Sequence, residues 1–272
     1  MKNLIVRTLT GIIFVIVITS AIYIHPLVFA GVFAAIVGLM ISEFYALFKY
    51  GAARWVRISG ILAGMYLFIA TLLYAGKYFG GVIFLPYILI IIVLFVSELY
   101  RKNENPVEQW GVMAFSQIYC AGSLSLLCFI PYWNHQKYNP LLLLTIFIFI
   151  WLNDTGAYLI GSWKGRRRLF ERISPLKSWE GFWGGCAFVL IASQVFARYF
   201  TLLTWYEWLL FAVVTVVAAT FGDLIESLLK RTGGVKDTGN ILPGHGGILD
   251  RFDSAILVAP SVFILLEILL NV

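Results

Sequence analysis

The sequence predicts an all-α, polytopic transmembrane protein that crosses the bilayer about nine times, its N-terminus cytoplasmic and its C-terminus outside. Composition is the first reason: of 272 residues, 61% are hydrophobic and only 12% charged, and mean hydropathy is +0.89. The second is a series of apolar runs, each near the roughly 20 residues that a helix needs to cross the hydrocarbon. The third is charge asymmetry. With the N-terminus inside, all of the 20 Lys and Arg except Lys77, Lys137 and Arg198 fall in alternate, cytoplasmic segments, as the positive-inside rule requires.

The elements follow in order. Lys2 and Arg7 lead into a run ending near Ile24. It is long for a signal peptide and no clear Ala-x-Ala site follows, so it reads as a retained first span. Further runs cover about 27–48, 57–75, 80–100, 108–131, 140–160, 181–200, 206–229 and 252–272. The break at His25-Pro26 is the weakest boundary, because proline there either kinks one helix or closes a tight hairpin. No repeat, linker or low-complexity segment divides the chain. It reads as one membrane domain over 1–272, with a helical scaffold in 1–131 and the catalytic helices in 140–272. Two polar loops, Ser162 to Glu180 and Lys230 to Arg251, fall on the cytoplasmic side.

Several function classes are excluded at this stage. No large soluble domain fits between the spans. Cys120, Cys128 and Cys186 lie inside apolar runs at spacings that match neither a disulfide frame nor a zinc site, so they read as small core residues. The net charge of +6 is the charge of cytoplasmic loops and gives no reason to invoke nucleic acid.

The chemistry concentrates between Ser227 and Asp253. This stretch gathers Lys230, Arg231, Lys236, Asp237, Asp250, Arg251 and Asp253 around a set of glycines. Glycines let backbone N–H groups approach an anion, Lys and Arg attract phosphate, and carboxylates hold divalent cations. Phosphate transfer is the chemistry such parts suit. An acid within a span costs about 2.5–3.5 kcal/mol at mid-helix and so needs a partner or a task. Asp223 lies near the cytoplasmic end of the eighth span with Glu226 and Ser227 on its face, and Asp250 and Asp253 share one face at the start of the ninth. Asp223, Asp250 and Asp253, with no His or Cys beside them, form a ligand set for a hard cation, and Mg²⁺ is the expected ion, with a second cation left open. His245, between glycines, is read as a general base or phosphate donor, or as a residue that shapes the turn.

An earlier segment adds a second set: Asn153 and Asp154 in the sixth span, then Tyr158, the run Arg166-Arg167-Arg168, and Ser174-Pro175-Leu176-Lys177-Ser178-Trp179-Glu180-Gly181. The arginines are expected to set topology and meet anionic headgroups. Ser174, Lys177 and Ser178, on a polar turn at a helix start, offer hydroxyls, N–H groups and a lysine to an anion. The spacing is not that of a P-loop. Gly181, Gly184 and Gly185 are expected to permit close helix packing.

These residues resemble the integral-membrane phosphatidate cytidylyltransferases, or CDP-diacylglycerol synthases. That family's pattern is Ser-x-x-Lys-Arg, four residues, Lys-Asp-x-Gly, then Pro-x-His-Gly-Gly-x-x-Asp-Arg-x-Asp, and it is met without a gap from Ser227 to Asp253. The stretch Ser174 to Gly181 is similar to a second block, Ser-Pro-Lys-Lys-Thr-x-Glu-Gly, from which Leu176 and Ser178 depart. The resemblance covers about 153–254. It implies transfer of the cytidylyl group of CTP to phosphatidic acid, giving CDP-diacylglycerol and pyrophosphate. It also implies metal ions on Asp223, Asp250 and Asp253, with Lys230 beside them in the catalytic set. Substrate contacts are expected from Asp154, Ser174, Lys177, Ser178, Arg231, Lys236, Asp237, His245 and Arg251. A homodimer among membrane lipids is implied, in a bacterial cytoplasmic membrane with the site facing the cytoplasm. Two alternatives stand beside it: a CTP-dependent polyprenol or phytol kinase, and a lipid or ion transporter with Glu43 and Glu98 among the acids of its path.

Overall fold

The computed structural model describes residues 2–101, 105–135, 137–239, 241, 244 and 246–271. The chain forms two compact units, one of residues 1–140 with 233–252, the other of 141–232 with 253–272. Among the described residues, eight helical segments are long and apolar enough to cross a membrane, and Thr8–Ile24 is a further, shorter apolar helix.

In the first unit, α1 (Lys2–Ile24) and α2 (Pro26–Leu47) are separate helices. His25 makes the break: its Nδ1 accepts a hydrogen bond from the Leu27 N–H at 3.1 Å, and Pro26 takes the first helical turn, where a missing N–H costs nothing. The split at His25-Pro26 is thus a capped helix start. α3 (Arg54–Ala75) packs on α2 through Phe29, Phe33 and Phe68, with Phe33 and Phe68 stacked at 5.9 Å. Such ring pairs add about 0.5–1.5 kcal/mol each beyond their burial.

After α4 (Leu85–Ser97), the next span is composite. α5 (Pro106–Ser116) runs into a π-helical turn, Gln117–Gly122, then the short α6 (Ser123–Ser125) and 3₁₀ turns. The irregularity has a local use, since the buried Gln117 donates from Nε2 to the Gly60 carbonyl at 2.9 Å. An amide left unpaired there would cost about 1–3 kcal/mol.

The second unit contains α7 (Leu141–Lys164), α8 (Trp179–Tyr199), α9 (Trp205–Thr232) and most of α10 (Leu249–Asn271). α7 and α8 meet along small residues. A Cβ on Gly156 would sit 3.0 Å from the Gly184 carbonyl oxygen, and one on Gly181 would sit 2.9 Å from that of Ala157. The expected packing role of Gly181, Gly184 and Gly185 is seen, with Gly156 supplying the matching surface on α7. At the other end, Phe149, Phe196, Trp208 and Phe211 interlock, edge to face except for the tilted Phe196–Trp208 pair.

Between α7 and α8 the chain makes a hairpin that the all-α reading did not include. β1 (Arg168–Phe170) pairs antiparallel with β2 (Ser174–Ser178), Arg168 opposite Ser178, through an irregular register. Ser178 then ends the strand and starts α8: its Oγ accepts the Gly181 N–H at 3.1 Å. Glu180 closes the turn, accepting the Arg166 and Arg167 backbone N–H groups. The polar block is a strand end joined to a helix cap, built around satisfied hydrogen bonds.

Candidate functional site

Three acids converge in the second unit. Asp223 and Glu226 stand one turn apart on α9, and Asp253 faces them from α10. One carboxylate oxygen from each lies within 4.8 Å of the others. The approach depends on Gly222, whose missing side chain leaves room for the α10 backbone at Asp253 and Ser254. Ser254 ties that contact from the other side, its Oγ donating to the Ala219 carbonyl at 3.2 Å.

Two lysines balance the charge. Lys177, at the end of β2, is ion-paired with Asp223, and Lys230 reaches Glu226 at 2.5 Å from one turn further along α9. Ser227 donates to the second Asp223 oxygen at 3.3 Å. Glu226 is fully buried, and the Lys230 ammonium supplies the opposite charge that a buried carboxylate requires. Glu226 extends the sequence-derived set; its signal was the spacing Asp223, Glu226, Ser227 and Lys230, one stripe along a helix.

Asp223 also borders a cleft of about 620 Å³ between α7, the hairpin, the start of α8 and the 219–223 stretch of α9. Asp154, Tyr158, Arg168, Lys177 and Ser178 supply its polar wall, while Leu169, Leu176 and Phe182 make the rest apolar. The hairpin register explains why Arg168 is here, since it places Arg168 against Ser178 and next to Lys177. Thus Asp154, Lys177, Ser178 and Asp223 line one cavity. Ser174 pairs with Phe170 at the far end of the hairpin, and Arg231 is exposed near the end of α9.

The glycine-rich segment belongs to the first unit, and among its described residues the N–H groups of Thr238, Gly247, Ile248 and Leu249 point to carboxylates of the protein itself. Asp250 Oδ2 accepts from Gly247 N at 2.8 Å, Thr238 N at 3.0 Å and Thr238 Oγ1 at 3.1 Å. Glu43, on α2, accepts from Ile248 N at 2.9 Å and Leu249 N at 2.8 Å, and shares with Asp250 the single proton of the Thr238 hydroxyl, whose Oγ1 lies 3.2 Å away. Lys236, Asp237 and Arg251 are exposed around this knot. His245 lies outside the described residues, as do Asn240, Leu242 and Pro243. Sequence reasoning did not find Glu43's task, because its partner Thr238 is 195 residues away.

The sequence matches the model of the cytidylyltransferase family over residues 5–269. The chain belongs to the cytidylyltransferase family. It is 32% identical to the phosphatidate cytidylyltransferase of Bacillus subtilis over 266 residues, covering 96% of this chain and 97% of that one. The Staphylococcus aureus phosphatidate cytidylyltransferase is 34% identical, covering 96% and 98%. That of Haemophilus influenzae is 37% identical over 180 residues, 63% of this chain and 62% of the other.

A cytidylyltransferase handles a highly charged triphosphate, and the acid cluster fits the cation such a substrate needs. The donors are all carboxylate oxygens, which suit a hard divalent ion with open positions for phosphate and water. The two acids expected in a transporter's path are already engaged. Glu43 holds the start of α10, and Glu98 binds Arg101 at 2.5 Å, which in turn donates to the Gly51 carbonyl.

Proposed function

We propose that this integral membrane cytidylyltransferase acts on CTP and phosphatidic acid, forming CDP-diacylglycerol and pyrophosphate. The observation that carries the reading is the double membership of Asp223. It belongs to a three-carboxylate cluster and to the wall of a cleft with cationic and apolar sides. Such a cleft suits an amphiphile with a phosphate head, and the cluster suits the ion that accompanies a nucleoside triphosphate.

Asp223, Glu226 and Asp253 would hold Mg²⁺. Asp250 stays in the proposed set on its spacing of one helical turn from Asp253. Bound there, the ion would neutralise charge on the triphosphate and the leaving pyrophosphate. In the reaction, a lipid phosphate oxygen forms a bond to the α-phosphorus as the bond from that phosphorus to the bridging oxygen of the β-phosphate breaks. The attacking phosphate is anionic near neutral pH, so no strong base is required. The protein brings two repelling anions together. Arg168 and Lys177 hold the lipid phosphate in the cleft. On their places in the sequence pattern, Lys230, Arg231, Lys236 and Arg251 are assigned to the nucleotide phosphates.

The distribution of Lys and Arg supports a site on the cytoplasmic side of a bacterial inner membrane, and a homodimer is the proposed assembly. The test is purified full-length protein in lipid vesicles with Mg²⁺, phosphatidic acid and CTP labelled at either the α- or the γ-phosphate. Label from the α-position enters lipid if the proposal holds. Lipid labelled only from the γ-position would make the protein a kinase, and solute flux in vesicles lacking CTP would make it a transporter.

A further inference from the structure

We propose that Glu43 is a positioning residue for the reaction, the internal anion around which the glycine-rich segment folds and which sets where its exposed Lys236, Asp237 and Arg251 are presented. The inference rests on the proposed function for what the segment binds, and on geometry alone for how it is held. Glu43 is 5% exposed. It sits in a candidate span whose other residues are almost all apolar, where an acid without a task is selected against by its insertion cost. Its two oxygens are engaged separately, Oε1 by Ile248 N and Oε2 by Leu249 N and the Thr238 hydroxyl.

The two N–H groups are those at the start of α10, so the carboxylate meets the positive end of the helix dipole as well as two orphan donors. Thr238 links this arrangement to a second carboxylate, because the same hydroxyl lies 3.1 Å from Asp250 Oδ2. The glycines complete the case. A Cβ on Gly239 would lie 2.7 Å from Glu43 Oε1, one on Gly247 would lie 2.5 Å from Glu43 Oε2, and one on Gly246 would lie 2.6 Å from Asp250 Oδ2. Gly246 also has φ +81°, a conformation that side-chain-bearing residues rarely adopt. The described residues of the segment therefore close tightly on two buried carboxylates. Substrate phosphates are left to the cations outside the wrap.

Glu43→Gln tests this, since it keeps the shape but replaces one acceptor with an NH₂ group facing a backbone N–H. The readouts are hydrogen exchange of the full-length protein in detergent and steady-state turnover with CTP and phosphatidic acid varied separately. Expected are faster exchange in the 238–250 peptide, unchanged exchange across 54–75, and a rise of about tenfold in the CTP concentration giving half-maximal rate, worth about 1.4 kcal/mol. The lipid dependence stays as in the parent, and Glu43→Asp recovers part of the loss. Unchanged exchange in 238–250 overturns the inference, and so does faster exchange with unaltered kinetics, which makes Glu43 a structural residue only. Should Glu43→Gln fail to fold, Thr238→Val removes the shared hydroxyl and is read the same way. A parent protein with no CTP-dependent activity refutes the proposed function, while the exchange measurement still tests whether Glu43 holds the segment.

Discussion

Gly222 lies so close to Asp253 that a Cβ added to it would sit 2.6 Å from the Asp253 carbonyl oxygen and 3.1 Å from Ser254 Cα. Backbone cannot yield as a flexible side chain can, so any side chain at this position drives α9 and α10 apart. The carboxylates of Asp223 and Asp253 part with them. Gly222→Ala is expected to reduce turnover by about tenfold or more while leaving every acid in place, because a displacement of about 1 Å is enough to cost catalysis on that scale. The check is kcat in vesicles together with the Mg²⁺ concentration required. A variant with parental kinetics would show that the spacing of α9 and α10 does not govern the site.

The acid cluster gives a graded prediction. Asp223→Asn and Asp253→Asn each remove a charged donor that faces the other carboxylates, and turnover is expected to fall by about a hundredfold or more. Glu226→Gln removes a fully buried charge that pairs with the part-buried Lys230. It is expected to raise the Mg²⁺ requirement and to lower thermal stability, since breaking a buried pair costs about 3–5 kcal/mol. Asp250→Asn is expected to abolish turnover and, alone of these, to speed hydrogen exchange in the segment it folds. EDTA is expected to stop the reaction, and Mg²⁺ to restore it. Full activity after thorough chelation would remove the metal from the mechanism.

The spans were legible because apolar runs of membrane length are a property of the local sequence, which tertiary contacts do not rewrite. The helical face shared by Asp223, Glu226 and Ser227 was legible for the same local reason. What could not be read were arrangements set by distant partners. Nothing local marks Arg168 to Phe170 as a strand, since its pairing with Ser174 to Ser178 exists only once the chain between α7 and α8 turns back. The π-helical turn at Gln117 answers to the Gly60 carbonyl, 57 residues away. The glycines of the 239–247 segment were understood as making room for a ligand's phosphates, whereas Gly239, Gly246 and Gly247 make room for Glu43 and Asp250. A sequence shows that a backbone must come close to an anion before it shows which anion.

Ser178 has two tasks, and substitution separates them. Its Oγ caps α8 by accepting the Gly181 N–H, and the residue also lines the cleft. Ser178→Ala is expected to lower stability by about 1 kcal/mol, the usual value of a lost N-cap. Ser178→Thr keeps the hydroxyl and is expected to retain stability. Thermal unfolding in detergent checks the first effect, and the lipid concentration at half-maximal rate checks the second. A stable Ser178→Ala protein with impaired lipid use would assign the hydroxyl to substrate instead of to the helix.

The three consecutive arginines differ in what the hairpin does with them. Arg166 and Arg167 give their backbone N–H groups to Glu180, so their contribution to the turn survives loss of their side chains. Arg168 alone of the three lines the cleft, with Lys177, which already answers to Asp223. A phosphate entering the cleft therefore meets in Arg168 a guanidinium suited to bidentate binding. Arg168→Ala is expected to raise the phosphatidic acid concentration at half-maximal rate by about tenfold, as for loss of a charge-assisted hydrogen bond, with little change in the CTP dependence. Arg168→Lys recovers only part, because an ammonium cannot reproduce the two parallel bonds. Arg167→Ala should lie within about twofold of the parent, as surface substitutions away from a site usually do. Equal losses in Arg167→Ala and Arg168→Ala would mean that the run acts through its summed charge at the membrane surface and that the hairpin register has no part in binding.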